Sequence, residues 1–249
     1  MPRYRLVIEY DGTPYYGWQR QEKFISVQQV LEEAMEEFTQ EKATVFAAGR
    51  TDTGVHALGQ VVHVDLSKDW APQKVQEATN GLLKFKGHPV AALEVKKVDD
   101  EFDARFSAVR RSYRYRIINR MAPPTIERER AWWIRFPLNV DVMNEAAQEL
   151  VGHHDFTTFR STDCQAKSPM RTLDLLQVKR VNETEIEILA ESRSFLHNQV
   201  RSIVGSLKMV GDTKWSRQDL IEARDALDRK ACGPVAPAYG LYLVHVDYS

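Results

Sequence analysis

Ala48-Gly49-Arg50-Thr51-Asp52-Thr53-Gly54-Val55-His56-Ala57 is a run of small and polar residues set between two apolar stretches. On one side Thr44 to Ala48 reads as a strand, and on the other Gln60 to Leu66 reads as a second. The segment from Gly49 to Gly59 is therefore expected to be a loop held between strands, a natural place for chemistry. Its glycines permit tight turns and close approach by a ligand. At its centre stands one carboxylate, Asp52, with Arg50 two residues earlier. A phosphate cradle is the obvious rival, but no GxxxxGK[ST] pattern exists here and Asp52 would repel phosphate. An aspartate in such a loop serves turns as well as catalysis, and on composition alone the turn is the commoner use.

Outward from this loop, strands keep following strands. Tyr4, Leu6, Ile8 and Tyr10 share one face at period two, and Asp11-Gly12-Thr13-Pro14 ends that strand. A helix should follow, with Ser26 and Gln29 spaced as a capping box and Val27, Val30, Leu31, Ala34, Met35 and Phe38 as its buried stripe. Pro72 to Leu83 fits a second helix and Val90 to Val98 an extended segment. Arg111 to Ile118 alternates as a strand, and Met121 to Arg130 reads as an exposed loop. Then come a helix from Val142 to Val151 (Asp141 as cap, Gly152 as stop) and strands near Leu173 to Val181 and Thr184 to Ala190. Helices over Leu196 to Val210 and Arg217 to Leu227, the latter capped by Ser216, precede a last strand, Gly240 to Tyr248. Strands without helical crossovers favour an α+β fold with mostly antiparallel pairing over a doubly wound parallel sheet. The expected division is an N-terminal half, 1–103, carrying the loop, and a C-terminal half, 104–249.

The 249 residues suffice for one large domain or two modest ones, and 43% hydrophobic with 28% charged residues is ordinary for a globular protein. No apolar run reaches the roughly 18 to 20 residues of a membrane span. The alternating N-terminus lacks the apolar stretch of a signal peptide, and Cys164 and Cys232 form no CxxC pair, so free thiols in a reducing cytoplasm are expected. A net charge of -1 excludes a protein coated in positive charge. It leaves room for a local basic surface, and Ala104 to Arg120 supplies six arginines without a carboxylate. Such a run is either a solvated face or a basic track for an anionic ligand, with Arg110, Arg114 and Arg116 as candidate contacts.

The loop's GRTDTGVHA resembles the signature of the TruA family of tRNA pseudouridine synthases, and it does not stand alone. Tyr10-Asp11-Gly12-Thr13 with Gly17-Trp18-Gln19 resembles that family's opening motif, and Gln60-Val61-Val62-His63 continues its catalytic segment. Ala104-Arg105-Phe106-Ser107-Ala108, Arg111-Ser112-Tyr113-Arg114-Tyr115, His154-Asp155-Phe156-Thr157-Thr158-Phe159-Arg160 and Phe195-Leu196-His197-Asn198-Gln199-Val200-Arg201 match later blocks in order. The resemblance implies two similar α/β halves flanking a central basic cleft. It implies isomerisation of uridine in the anticodon stem-loop of tRNA, at tRNA positions 38, 39 and 40, by a cytoplasmic homodimer. Position by position, Asp52 takes the catalytic role and Tyr113 packs on the target base. Arg201 pairs with the aspartate, Arg50 holds the flipped-out RNA, and Leu241 or Leu243 lines the pocket.

The chemistry suits these residue types. The N1–C1′ bond breaks, the uracil turns, and C5 joins C1′, with no redox change and no external group, so no cofactor is required. Positive character on the sugar is what a carboxylate can stabilise or trap. Attack at C1′, attack at uracil C6 and proton removal to a glycal all remain open. The spacings of His63, His153, His154 and His197 match no zinc pattern, so no metal is expected. Two rivals stand beside this reading: a catalytically silent tRNA-binding or tRNA-folding protein of the same fold, which would not need Asp52, and a synthase acting on another RNA.

Overall fold

The computed structural model describes residues 1–248 and shows an α+β protein. The chain divides into two compact units, residues 1–109 with 242–249 and residues 110–241.

In the first unit, β1 (Arg3–Tyr10) lies antiparallel between β3 (His56–Asp65) and β4 (Val90–Val98). The short β2 (Phe46–Ala47) pairs with β3. Two helices, α1 (Val27–Thr39) and α2 (Pro72–Phe85), pack on each other, and α2 lies on β4. The period-two face of β1 is buried as its pattern demands: Tyr4, Leu6 and Ile8 are fully buried, as are Leu31, Ala34 and Met35 of α1. Phe38 is only partly covered, and Glu32 is buried in the stripe instead. Its carboxylate is satisfied by Arg20 at 3.0 Å and by the Val45 N–H at 3.1 Å. Ser26 caps α1 by accepting from the Gln29 N–H, but the Gln29 amide donates to Glu33, so the reciprocal half of a capping box is not formed.

β3 begins at His56, four residues before the expected strand, because the chain at His56 and Ala57 also pairs in parallel with Tyr242 and Leu243 of β10 (Leu241–Tyr248). The open loop shortens to residues 48–55.

The second unit orders its strands β5-β9-β8-β7, all antiparallel: β5 (Ala108–Asn119), β7 (Gly152–Asp155), β8 (Met170–Arg180) and β9 (Glu185–Ser192). A short β6 (Trp132–Ile134) adds to β5 in parallel. Periodicity reveals neither strand, because β6, Trp-Trp-Ile, is too short to show a period and β7, Gly-His-His-Asp, has no apolar residue to alternate. Helix α3 (Val140–Ala147) packs on β8 and on α4 (Gln199–Gly211), and α5 (Arg217–Asp225) lies against both helices. Asn139, not Asp141, caps α3, accepting from the Val142 N–H. A 3₁₀ turn over Gln148–Leu150 replaces the expected last helical turn. Ser216 and Asp219 complete a capping box on α5.

Candidate active site

The loop bearing Asp52 is pinned from three directions. The Ala48 N–H donates to the Val61 carbonyl at 2.8 Å, and the buried Gln60 amide donates to the Gly49 carbonyl at 2.6 Å. Both tie the loop's beginning to β3. Its middle is held by the end of β1 and the segment after it: the hydroxyls of Tyr10 and Thr51 lie 2.8 Å apart, and the Trp18 N–H donates to the Thr51 carbonyl at 3.0 Å. The loop's end turns back on itself, Val55 N–H donating to the Asp52 carbonyl at 3.1 Å.

Two glycines make this contact possible. A Cβ on Gly12 would stand 2.0 Å from the Val55 carbonyl oxygen. One on Gly17, whose φ is +83°, would stand 2.8 Å from the Thr51 carbonyl oxygen and 3.2 Å from the carbonyl carbon of Asp52. The opening motif and the Asp52 loop are thus two sides of one backbone contact, which explains why Gly12 and Gly17 carry no side chain. Where the loop enters β3, His56 is buried, with its ring stacked on Tyr242 at 4.7 Å. Its Nδ1 accepts from the Gly12 N–H at 3.0 Å, and Asp11 Oδ1 lies 3.2 Å from the same nitrogen. Within this frame Asp52 is half-buried and Arg50 exposed. Leu243, on β10 in the same unit, is fully buried.

In the second unit Tyr113 sits in β5 opposite Ala190, half-buried, with its ring edge-on to Phe195 at 5.1 Å. Tyr115, two residues on and so on the same face, is a core residue whose hydroxyl donates to the Pro237 carbonyl at 2.7 Å. Burial pushes the Tyr115 phenol well above its ordinary range.

The helix that carries Arg201 starts at Gln199, later than the expected Leu196. Asn198 adopts a left-handed conformation, φ +63°, so α4 starts at Gln199 and Arg201 falls in its first turn. A cation there opposes the helix dipole, at a cost of about 0.3–1 kcal/mol, so helix stability does not ask for it. The side chain is nevertheless fixed: Nε donates to the Ala236 carbonyl and Nη1 to Asn198 Oδ1, both at 2.8 Å. The backbone N–H of Ala236 returns a bond to the Arg201 carbonyl at 3.1 Å. Leu241, buried, follows the short turn Ala238–Gly240.

The arginine run is largely neutralised by β9. Arg114 lies 3.3 Å from Glu187, Arg116 lies 2.7 Å from both Glu185 and Glu127, and Arg110 lies 3.5 Å from Glu191. All three occupy even positions of β5, on the face opposite Tyr113. Arg111, on the Tyr113 face, is buried and donates to the Arg193 carbonyl. Local sequence could not distinguish these cases, because the partners in β9 lie far along the chain, Glu185 being 69 residues after Arg116, and only Glu127, 11 residues on, is near.

Among the described residues no three His, Cys, Asp or Glu side chains come together to hold a metal ion. Both cysteines are free thiols. No helix among the described residues is long and apolar enough to cross a membrane.

The scaffold is of the α+β class, and the loop it holds between β2 and β3 carries one carboxylate, Asp52. Comparison with known proteins narrows that class. The family described as tRNA pseudouridine synthase matches residues 6–107 and 146–249. The chain is 57% identical over 248 residues to tRNA pseudouridine synthase A of Rhizobium meliloti (strain 1021), covering all of both proteins. It is likewise 57% identical to the protein of that name from Brucella ovis, over all of this chain and 99% of that one. The chain belongs to the tRNA pseudouridine synthase family. Among solved structures, a Cbf5-Nop10-Gar1 complex shows a distant likeness, with a TM-score of 0.34 at 12% identity over 83% of this chain and 45% of that one.

Proposed function

We propose that this protein isomerises uridine to pseudouridine in the anticodon stem-loop of tRNA, with Asp52 as the catalytic carboxylate. The observation that carries the reading is the loop itself. Asp52 is the sole carboxylate in residues 48–55, and hydrogen bonds to β3 and to the Gly12–Trp18 segment hold its backbone on both sides. Such fixing suits a group that must meet one atom of a flipped nucleotide.

In this reading the N1–C1′ bond breaks with its electron pair leaving on uracil. The carboxylate stabilises or captures the electron-poor partner, the ring turns, and C5 bonds to C1′ while the C5 proton departs and N1 is protonated. Atoms and charge balance without a cofactor. Tyr113 offers its ring to the extruded base, a contact of roughly 1–3 kcal/mol, and Phe195 fixes that ring's tilt. Arg201, held by Ala236 and Asn198, is the cation assigned to pair with Asp52. Arg50 steadies the displaced RNA, and Leu241 or Leu243 gives the base an apolar wall. The protein acts as a homodimer in the cytoplasm.

The test is Asp52→Asn, nearly isosteric and uncharged. Pseudouridine formation in bulk tRNA should fall by several orders of magnitude while tRNA affinity stays within a few-fold. Substantial turnover by the variant would reduce Asp52 to a loop residue.

A further inference from the structure

Tyr16 and Phe24 form an exposed aromatic pair beside the Asp52 loop. Their rings stack at 4.1 Å with 20° between planes, yet the two residues remain 49% and 46% exposed. Two large rings that cover each other and still face solvent gain little from burial, so folding alone does not account for them. The backbone beneath is tied by hydrogen bonds. The Tyr16 N–H donates to the Ile25 carbonyl at 3.0 Å, the Gln21 amide donates to the Tyr16 carbonyl at 2.9 Å, and the Val27 N–H donates to the Gly17 carbonyl at 3.2 Å. The next residue after Tyr16 is Gly17, whose backbone lies against Thr51 and Asp52. The pair is therefore anchored one residue from the strip of chain that presents Asp52.

We infer that Tyr16 and Phe24 form a stacking platform for an unpaired nucleobase adjoining the target uridine. The inference rests on the uridine-isomerising reading above. A uridine drawn out of its stack leaves its neighbour with an uncovered face, and an aromatic side chain replaces the lost partner regardless of base identity. The local charges do not build a phosphate site, since Arg20 in the same segment is engaged by Glu32 at 3.0 Å and Glu33 at 3.7 Å and the exposed Lys23 stands next to Glu22 of opposite charge. A protein partner fits less well, because two rings fall far short of the roughly 800 Å² that a stable interface buries on each side.

The experiment is a double-mutant cycle between protein and RNA, read as Kd. Wild type and the Tyr16→Ala, Phe24→Ala double variant are titrated with a tRNA anticodon stem-loop and with versions abasic at each nucleotide flanking the target. The double variant should bind the intact RNA about 5- to 100-fold more weakly. One abasic position should weaken wild type by a similar factor and leave the double variant unaffected. Tyr16→Phe keeps the ring and should bind as wild type, whereas Phe24→Leu keeps apolar bulk and should show the loss. If the double variant does not fold, Tyr16→Leu and Phe24→Leu carry the same cycle singly. Wild-type affinity in the variants, or abasic losses that multiply with theirs at every position, would overturn the platform. Pseudouridine yield from the wild-type protein separates the two readings. With pseudouridine formed and the cycle additive, only the platform falls; with none formed in tRNA, both fall.

Discussion

Gly17 shows how tightly a single residue conditions the site. Its φ of +83° costs an L side chain about 1–2 kcal/mol, and its missing Cβ is the space that the Thr51 carbonyl occupies. The obstructing atom is backbone, not a flexible tip, so a methyl group must push the Asp52 loop itself. Gly17→Ala is expected to lower Tm by several degrees and to reduce kcat much more than it weakens tRNA binding. Thermal unfolding paired with single-turnover kinetics would check this. A variant that loses stability but keeps the wild-type chemical rate would mean the loop tolerates displacement.

On the scale of an element, β5 separates two uses of one sequence pattern. Its odd positions carry Arg111, Tyr113, Tyr115 and Ile117 toward the packed face, and its even positions carry Arg110, Arg114 and Arg116 to the glutamates of β9. The exposed Arg110 pair contributes only about 0–1 kcal/mol, and in the less exposed Arg114 and Arg116 pairs attraction is offset by desolvation, so the pairs say little about stability. They do bear on RNA binding, because a phosphate must compete with the carboxylate already present. Arg116, flanked by two carboxylates at 2.7 Å, should contribute least, and Arg110, with its longer contact, most. Replacing each with Gln and following tRNA binding across a salt series tests the order. A true phosphate contact flattens the log–log slope by roughly 0.7–0.9, and equal changes for all three would contradict the ranking.

At the level of the whole molecule, stability should depend on pH through His63. Buried in β3 between Phe46 and Phe102, it accepts the Ala104 N–H at Nδ1, 3.0 Å away. Desolvation, and secondarily Arg3, lower its pKa below the ordinary 6.5, against the opposing pull of Asp103 and Asp65. The unfolded chain therefore binds a proton that the folded protein resists. Stability should be fully present above about pH 6.5 and decline as pH falls toward the folded pKa, below which His63 contributes no further loss. Asp65 acts lower: the hydrogen bond from Arg3 depresses its pKa below 3.8, so its contribution is present above that value and lost in stronger acid. Urea denaturation between pH 7.5 and 5 should show the decline in wild type and a flatter profile in His63→Gln. Equal slopes for the two proteins would assign the effect to other groups.

Much of this was legible in the chain itself. Period-two patterning in Tyr4 to Tyr10 marks a strand because alternate side chains of a pleated strand must face one core, and the structure buries those four residues. The α+β class follows from such local patterns, and the Asp52 loop is visible as a polar, glycine-bearing gap between two of them. What local pattern cannot carry is partnership between distant residues. Only the tertiary structure placed β10 beside β3, returning the chain from Tyr242 to Tyr248 to the first unit, because pairing depends on backbone groups that every residue shares. It alone matched Arg114 with Glu187, put Gly17 beneath Asp52, and moved Arg201 to the first turn of α4 through the left-handed Asn198. The first two join residues far apart in the chain, which no short window of sequence contains together, and the third is a backbone turn at Asn198 that residue type alone does not fix.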